Sequence, residues 1–168
     1  MCFVDFYIKQ KVFSWKDKFS VYDRNGEQRY YVEGEVFTIG KKLHLYDPVG
    51  NELAFVHQKV LSFLPRYFIS INGQDVAEVV KNITFLSQKY EVRGFGWTVT
   101  GDFFAHEYEI HAGDAVIACV SKEWFTFGDA YHIAIADGVD ERAVLSVILV
   151  IDACLANQKN SISINIGN

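Results

Sequence analysis

The sequence has few of the residues that mark a disulfide-stabilised, metal-binding or catalytic chain. Its 168 residues include three cysteines, two prolines and one methionine. The three cysteines are widely spaced, at Cys2, Cys119 and Cys154. Their odd number excludes a complete disulfide framework, and their spacing excludes the paired cysteines of a zinc site. No Gly-x-Ser-x-Gly segment or phosphate-binding loop occurs either. We therefore expect no enzyme and no cofactor or metal.

The N-terminal residues also lack the apolar run of a signal peptide. Cys119 and Cys154 lie in apolar segments, where cysteine behaves as a small buried hydrophobe and stays reduced in the cytoplasm. Neither low-complexity sequence nor a linker divides the chain. We expect a cytoplasmic protein that folds as a single domain over residues 1–168.

The net charge of −5 is unevenly distributed. Residues 1–66 carry ten basic and eight acidic side chains, whereas residues 67–168 carry six and thirteen. Nucleic-acid binding needs a dense basic surface, so this composition disfavours it. A local basic patch in the first half remains a candidate site. Its lysines are Lys9, Lys11, Lys16, Lys18, Lys41, Lys42 and Lys59.

Aromatic residues stand among these lysines, as Phe13 and Trp15 do. Such a surface is suited to anionic phospholipid headgroups, and each cation contributes about 1 kcal/mol near an anionic membrane. The same lysines also suit a solvated face or the protection of an edge strand. The sequence leaves both interpretations open.

Period-two alternation of apolar residues predicts short strands through most of the chain. A weak repeat places Tyr22, Tyr46 and Ser70 at intervals of 24 residues, each just before a tight-turn segment. Asn25-Gly26 and Asn72-Gly73 tolerate the positive φ angles that hairpin turns require. About a dozen strands with so many hairpins favour a closed β-barrel.

The longest apolar run, AVLSVILVIDACL, occupies residues 143–155 and predicts a helix over about 139–157. Asp137 can cap its N-terminus. Asp152 interrupts the run at a cost of about 2.5–3.5 kcal/mol on insertion scales, so a transmembrane span is disfavoured. A helix that is apolar on all sides fits the axis of a barrel. Ile162, Ile164 and Ile166 alternate, and we expect a closing strand there.

The chain resembles the LURP-one-related family, which is grouped with the Tubby C-terminal domain and the phospholipid scramblases. The resembling segments are FYIKQKVFSWKDKFSVYDRNG, YYVEGEVFTIGKKLHLYDPVGNELAFVHQKVLSFLPRY and AVLSVILVIDA. The resemblance implies a mainly β, Tubby-like closed barrel of about twelve strands around a central C-terminal helix. It also implies a link to lipid, because Tubby-type domains bind phosphoinositides and scramblases move lipid. No lipid-binding motif matches residue by residue.

These observations together predict a non-enzymatic binding or scaffold module at the outside of a filled barrel. Its expected ligand is an anionic, phosphoinositide-like headgroup, which would make the protein peripheral at a membrane. The alternative is a module that binds a protein partner and no lipid. Asp152 is expected to be a buried structural acid near a barrel mouth, where a carboxylate needs a hydrogen-bonding partner.

Overall fold

The computed structural model describes residues 3–9, 18–83, 88–125 and 128–165, which form twelve strands and one helix. The strands are β1 (Phe3–Lys9), β2 (Phe19–Asp23), β3 (Gln28–Gly34), β4 (Lys42–Tyr46), β5 (Glu52–Gln58), β6 (Arg66–Ile71), β7 (Gln74–Ile83), β8 (Gln88–Arg93), β9 (Trp97–Asp102), β10 (Glu107–Ala112), β11 (Ala115–Phe125) and β12 (Gly128–Ala136), and the helix is α1 (Glu141–Asn165).

Every strand pairs antiparallel with its neighbours in sequence, and β1 pairs with β12, so the sheet closes into a barrel. The predicted closed barrel is confirmed. Because the strands alternate in direction, their connections alternate between two ends. We call the end that holds the short turns of residues 24–27, 47–51 and 72–73 the hairpin end. The opposite end, with the connections of residues 35–41, 59–65 and 103–106, is the exit end.

The repeat of 24 residues corresponds to a repeated β-bulge. The strand register shifts between Val21 and Tyr22, again at Tyr46, and again at Ser70. A bulge bends its strand and increases the local twist. Three bulges at the same distance from the hairpin end therefore help the sheet to curve into a barrel.

Two hairpin turns are built in the same way. Oδ1 of Asp23 accepts hydrogen bonds from the backbone amides two and four residues later, at 2.8 and 3.0 Å. Oδ1 of Asp47 accepts the equivalent pair at 3.1 and 2.8 Å. Gly26 and Gly50 then take positive φ angles of 79° and 96°. The aspartate and the glycine together fix each turn.

Helix α1 fills the barrel. Every residue from 143 to 155 is buried, on all sides of the helix. Near the start of the helix, Arg142 Nη1 donates to Asn72 Oδ1 at the hairpin end (3.5 Å). Asn157 Nδ2 donates to the hydroxyl of Tyr67, near the exit end (3.5 Å). The helix thus runs through the barrel from one end to the other. Among the described residues, no helix is both long and apolar enough to cross a membrane.

Two predictions about the helix are wrong. Its cap is Asp140 rather than Asp137, since the Arg142 amide donates to Asp140 Oδ1 at 3.0 Å. The closing strand does not form, because residues 161–165 continue the helix. Pairing of β1 with β12 leaves the barrel no open edge that another strand could join. Ile166 lies outside the described residues.

Candidate functional site

Three connections at the exit end expose large apolar side chains. Among the described residues, Phe37, Leu61 and Phe63 are 101, 99 and 109% exposed. The full set on these connections is Val36, Phe37, Ile39, Val60, Leu61, Phe63, Leu64 and Phe104. We call these eight residues the apolar rim. Large apolar side chains exposed together at one end of a molecule are a candidate interaction site.

Two residues of the apolar rim have a strained backbone. Phe37 has a φ of 65° and Leu61 a φ of 63°, both in the left-handed region. That conformation costs a non-glycine residue roughly 1–2 kcal/mol. Neither side chain recovers the cost by packing, since both are fully exposed. Strain that local packing does not compensate is typical of functional positions.

The connection of residues 35–41 is fixed against β5. The backbone amide of Lys41 donates to Gln58 Oε1 (3.1 Å), and the Gln58 amide donates to the Lys41 carbonyl (2.8 Å). Thr38 Oγ1 donates to the Gly40 carbonyl (3.0 Å). These bonds hold open a groove of about 390 Å³, whose walls are residues 35–38, Gly40, Lys41 and Gln58.

The barrel brings the lysines predicted from the sequence to the exit end. Lys18 precedes β2, Lys41 and Lys42 stand at the start of β4, and Lys59 follows β5. Lys9 ends β1 at the same end, although its side chain is not described. Lys11 and Lys16 lie outside the described residues.

Carboxylates neutralise part of this basic group. Lys18 forms an ion pair with Glu33 on β3. Lys42 Nζ lies 3.2 Å from Glu35 Oε2. The ammonium of Lys59 lies over the ring of Phe68, 5.9 Å from its centroid. The exit end therefore carries less positive charge than the lysine count suggests.

Two charged residues, Lys41 and Glu35, are among those that line the groove. Burial lowers the pKa of the half-buried Lys41. Hydrogen bonds from His44 and then Lys42 lower the pKa of the Glu35 carboxyl. His44 Nε2 lies 3.0 Å from Glu35 Oε1, and its Nδ1 lies 2.6 Å from Glu52 Oε2. Glu35 is thus held ionised at the groove.

Asp152 is buried inside the barrel, beneath the connection of residues 103–106. Its Oδ1 lies 3.9 Å from His106 Nδ1. The His106 ring stacks on Tyr131 with centroids 4.2 Å apart. Burial, together with the charge of Asp152, raises the pKa of Tyr108. The predicted burial of this acid is confirmed. Within the described ranges, no three His, Cys, Asp or Glu side chains are grouped as metal ligands would be.

The apolar rim was not predicted from the sequence. A signal was present, because Val36-Phe-Thr-Ile-Gly40 and Val60-Leu-Ser-Phe-Leu-Pro65 place apolar residues beside glycine or proline, between strands. Connections between strands are usually polar, with apolar residues in the flanking strands. Apolar residues in such a connection indicate a contact outside the barrel.

A family model described as LURP-one-related matches residues 4–152. The chain belongs to the LURP-one-related family. The chain is 38% identical to the uncharacterized protein YxjI of Bacillus subtilis (strain 168) over 157 residues, which cover 94% of this chain and 97% of YxjI. An X-ray structure of a protein from Arabidopsis thaliana has a similar fold, with a TM-score of 0.67, 17% identity and 91% coverage of each chain. The resemblance seen in the sequence is confirmed at the level of the family.

Proposed function

We propose that this LURP-one-related protein is a non-enzymatic module that docks reversibly on phospholipid membranes through its exit end. The observation that carries the proposal is the full exposure of Phe37, Leu61 and Phe63 beside Lys41 and Lys59. Apolar tips next to cations match the boundary between acyl chains and anionic headgroups. The protein would act in the cytoplasm, at the membrane surface.

The magnitudes favour weak and reversible binding. Each apolar tip contributes roughly 1.5–3 kcal/mol when it leaves water. Each cation near an anionic surface adds about 1 kcal/mol. The loss of translational and rotational freedom offsets several kcal/mol of that gain. Because ion pairs neutralise Lys18 and Lys42, insertion of the tips supplies more of the free energy than charge does.

The experiment compares vesicle co-sedimentation of the wild-type protein with that of a Phe37→Ser/Leu61→Ser variant. Vesicles contain phosphatidylcholine alone or with phosphatidylglycerol. The matched control is Val49→Ser, which removes an apolar side chain that is 84% exposed at the hairpin end. Thermal unfolding confirms that each variant is folded.

We expect the double variant to bind at least about tenfold more weakly, since a loss of 1.4 kcal/mol corresponds to that factor. Val49→Ser should bind as the wild type does, and phosphatidylglycerol should strengthen binding only modestly. Equal binding by the double variant contradicts the proposal. A protein that ignores all vesicles but captures a protein partner through Phe37 and Leu61 supports the alternative interaction module instead.

A further inference from the structure

A second cavity lies at the hairpin end of the barrel, where helix α1 begins. Its volume is about 400 Å³, which falls within the range of small-molecule sites. The residues around it belong to the turns of residues 72–73 and 94–96, to the strands that flank these turns, and to the start of α1. Because α1 fills the barrel, a ligand site is expected at a mouth of the barrel such as this one.

Two aromatic side chains form the largest apolar part of the cavity wall. The ring centroids of Phe95 and Trp97 lie 4.7 Å apart, and the ring planes are inclined by 39°. Both side chains are half-buried and pack against the core of the barrel, which fixes their positions. Aromatic rings prefer offset or tilted contacts with a further ring. The pair therefore favours a flat aromatic ligand over a branched aliphatic one.

A close approach of two strands holds Phe95 at the cavity. Gly94 has a φ of 100°, and a Cβ atom at this position would collide with the carbonyl oxygen of Val76 on β7. Only glycine allows the turn between β8 and β9 to approach β7 so closely. The turn is thus held against Val76, which also forms part of the cavity wall. This part of the wall is formed before a ligand arrives, which lowers the entropic cost of binding.

The two charged residues of the wall neutralise each other. Arg142 donates from Nε to Asp140 Oδ1 (3.0 Å) and from Nη2 to Asp140 Oδ2 (2.7 Å), which makes a bidentate ion pair. The third nitrogen, Nη1, donates to Asn72 Oδ1 (3.5 Å). A charged ligand therefore gains little here, and an uncharged ligand suits the cavity better. A guanidinium group held in this way can still stack on a planar ring.

Asn72 and Gln74 add two side-chain amides to the wall. An amide carries a donor and an acceptor side by side, and the edge of a purine base carries the complementary pair. Asn72 Oδ1 already accepts from Arg142, so we assign the contact with a ligand to the solvent-exposed Gln74.

We propose that this cavity binds an uncharged planar nitrogen heterocycle of the purine type, which stacks on the Phe95–Trp97 pair and forms hydrogen bonds with Gln74. The heterocycle is either a free base or the base of a nucleoside. The phosphate of a nucleotide would meet only Arg142 in the cavity wall, and Asp140 already balances that charge.

The test uses the full chain in a Trp15→Phe/Trp124→Phe background, in which Trp97 is the only tryptophan. Adenine, adenosine and adenosine monophosphate are each titrated while the fluorescence of Trp97 is followed. The control ligand is cyclohexanecarboxamide, which has an amide group but no flat ring. Saturation-transfer NMR measures binding of the same ligands to the variants.

Phe95→Leu and Gln74→Leu are the cavity variants. Their matched controls are Phe55→Leu and Gln28→Leu, at positions outside the cavity. Phe55 is a half-buried ring on the outer wall, where it packs against the ring of His44, and Gln28 is an exposed glutamine at the hairpin end. Thermal unfolding checks that each variant is folded. Because Gln74 is exposed, Gln74→Leu provides the test even if Phe95→Leu does not fold.

We expect adenine and adenosine to quench Trp97 fluorescence with a Kd on the order of 0.1–1 mM, as the size of one small ring system allows. The phosphate of adenosine monophosphate should not tighten binding. Each cavity variant should bind adenine about three- to tenfold more weakly, through the loss of one ring contact or one hydrogen bond. The control variants should bind it as the wild type does.

Three results would overturn the proposal. The first is adenine that does not bind, or that binds no better than cyclohexanecarboxamide. The second is adenine binding that neither Phe95→Leu nor Gln74→Leu weakens, because the ligand then lies elsewhere. The third is adenosine monophosphate that binds at least tenfold more tightly than adenosine, because the cavity then recognises a charged group.

Discussion

Phe37 and Leu61 have the same unusual geometry on two neighbouring connections of the barrel. Their φ angles are 65° and 63°, and their exposed fractions are 101 and 99%. Both connections lie at the exit end, on either side of the β4–β5 hairpin. Neither the strain nor the exposure benefits the isolated fold, so both point to a contact made elsewhere.

Glycine at these two positions should stabilise the fold and weaken membrane binding. Glycine adopts the left-handed conformation without strain, which stabilises the fold by roughly 1–2 kcal/mol. Glycine also gives the unfolded chain more conformational entropy, which destabilises the fold by roughly 0.5–1 kcal/mol. We expect Phe37→Gly and Leu61→Gly each to raise the free energy of unfolding by about 0.5–1 kcal/mol in urea titrations. Val49→Gly should lower it, because φ of Val49 is not positive. Destabilisation by both tip variants contradicts the assigned strain.

Asp140 should stabilise the helix N-terminus most above pH 4. Hydrogen bonds from the Arg142 side chain, then those from the Arg142 and Ala143 amides, lower the pKa of Asp140 below its ordinary value. A carboxyl group whose pKa is lower in the folded protein than in the unfolded chain stabilises the fold at pH values above the unfolded pKa. This stabilisation is lost as the pH falls through the folded pKa. The difference in unfolding free energy between wild type and Asp140→Asn should therefore shrink between pH 6 and pH 3.

Alanine provides a second test of the same cap. Asp140→Ala should cost about 1 kcal/mol at neutral pH, the usual value of an N-cap. Asp137→Ala should change the unfolding free energy by less than about 0.5 kcal/mol. The reverse order would show that Asp137, the cap predicted from the sequence, caps the helix after all.

Cys154 should be inert while the protein is folded. It lies in the buried part of α1, and burial raises the pKa of its thiol to about 12. The thiolate is the reactive form, so little of it exists at pH 8. In a Cys2→Ser/Cys119→Ser background, labelling by a thiol reagent should proceed only at the rate of unfolding. Fast labelling of folded protein would show that the helix is not enclosed by the barrel.

Asp152→Asn should affect stability rather than binding. The change keeps the shape of the side chain but replaces the carboxyl group, whose Oδ1 lies 3.9 Å from His106 Nδ1, with an amide. Loss of one buried polar interaction costs about 1–3 kcal/mol. We expect lower stability in urea and unchanged vesicle affinity of the folded protein. Unchanged stability with altered affinity would assign Asp152 a functional role instead of the structural one.

The barrel could be predicted from the sequence because its signals are local. Alternation of Tyr67, Ile69 and Ile71 marks a strand, and Asn72-Gly73 marks the turn that follows. The interval of 24 residues predicted repeated hairpins, and the structure places an equivalent bulge in each of them. By contrast, the alternation at Ile162 and Ile164 was misleading, because it covers few residues and continuity with the preceding helix outweighed it.

The site could be predicted only in part. The sequence predicted a candidate surface of lysines, and the barrel brings Lys18, Lys41, Lys42 and Lys59 to one end. Their pairing with Glu33 and Glu35 depends on neighbouring strands, which no local pattern reveals. The exposure of Phe37 and Leu61 likewise depends on where the connections project from the closed barrel. Long-range geometry therefore decides what this end of the molecule can bind.

The most direct measurement places an environment-sensitive fluorophore at Leu61→Cys, in the Cys2→Ser/Cys119→Ser background, and mixes the protein with vesicles of phosphatidylcholine and phosphatidylglycerol. The same label at Val49→Cys reports on the hairpin end. Membrane docking through the apolar rim predicts a blue-shifted emission from residue 61 and no shift from residue 49. A shift at residue 49, or vesicle binding without any shift at residue 61, would contradict it.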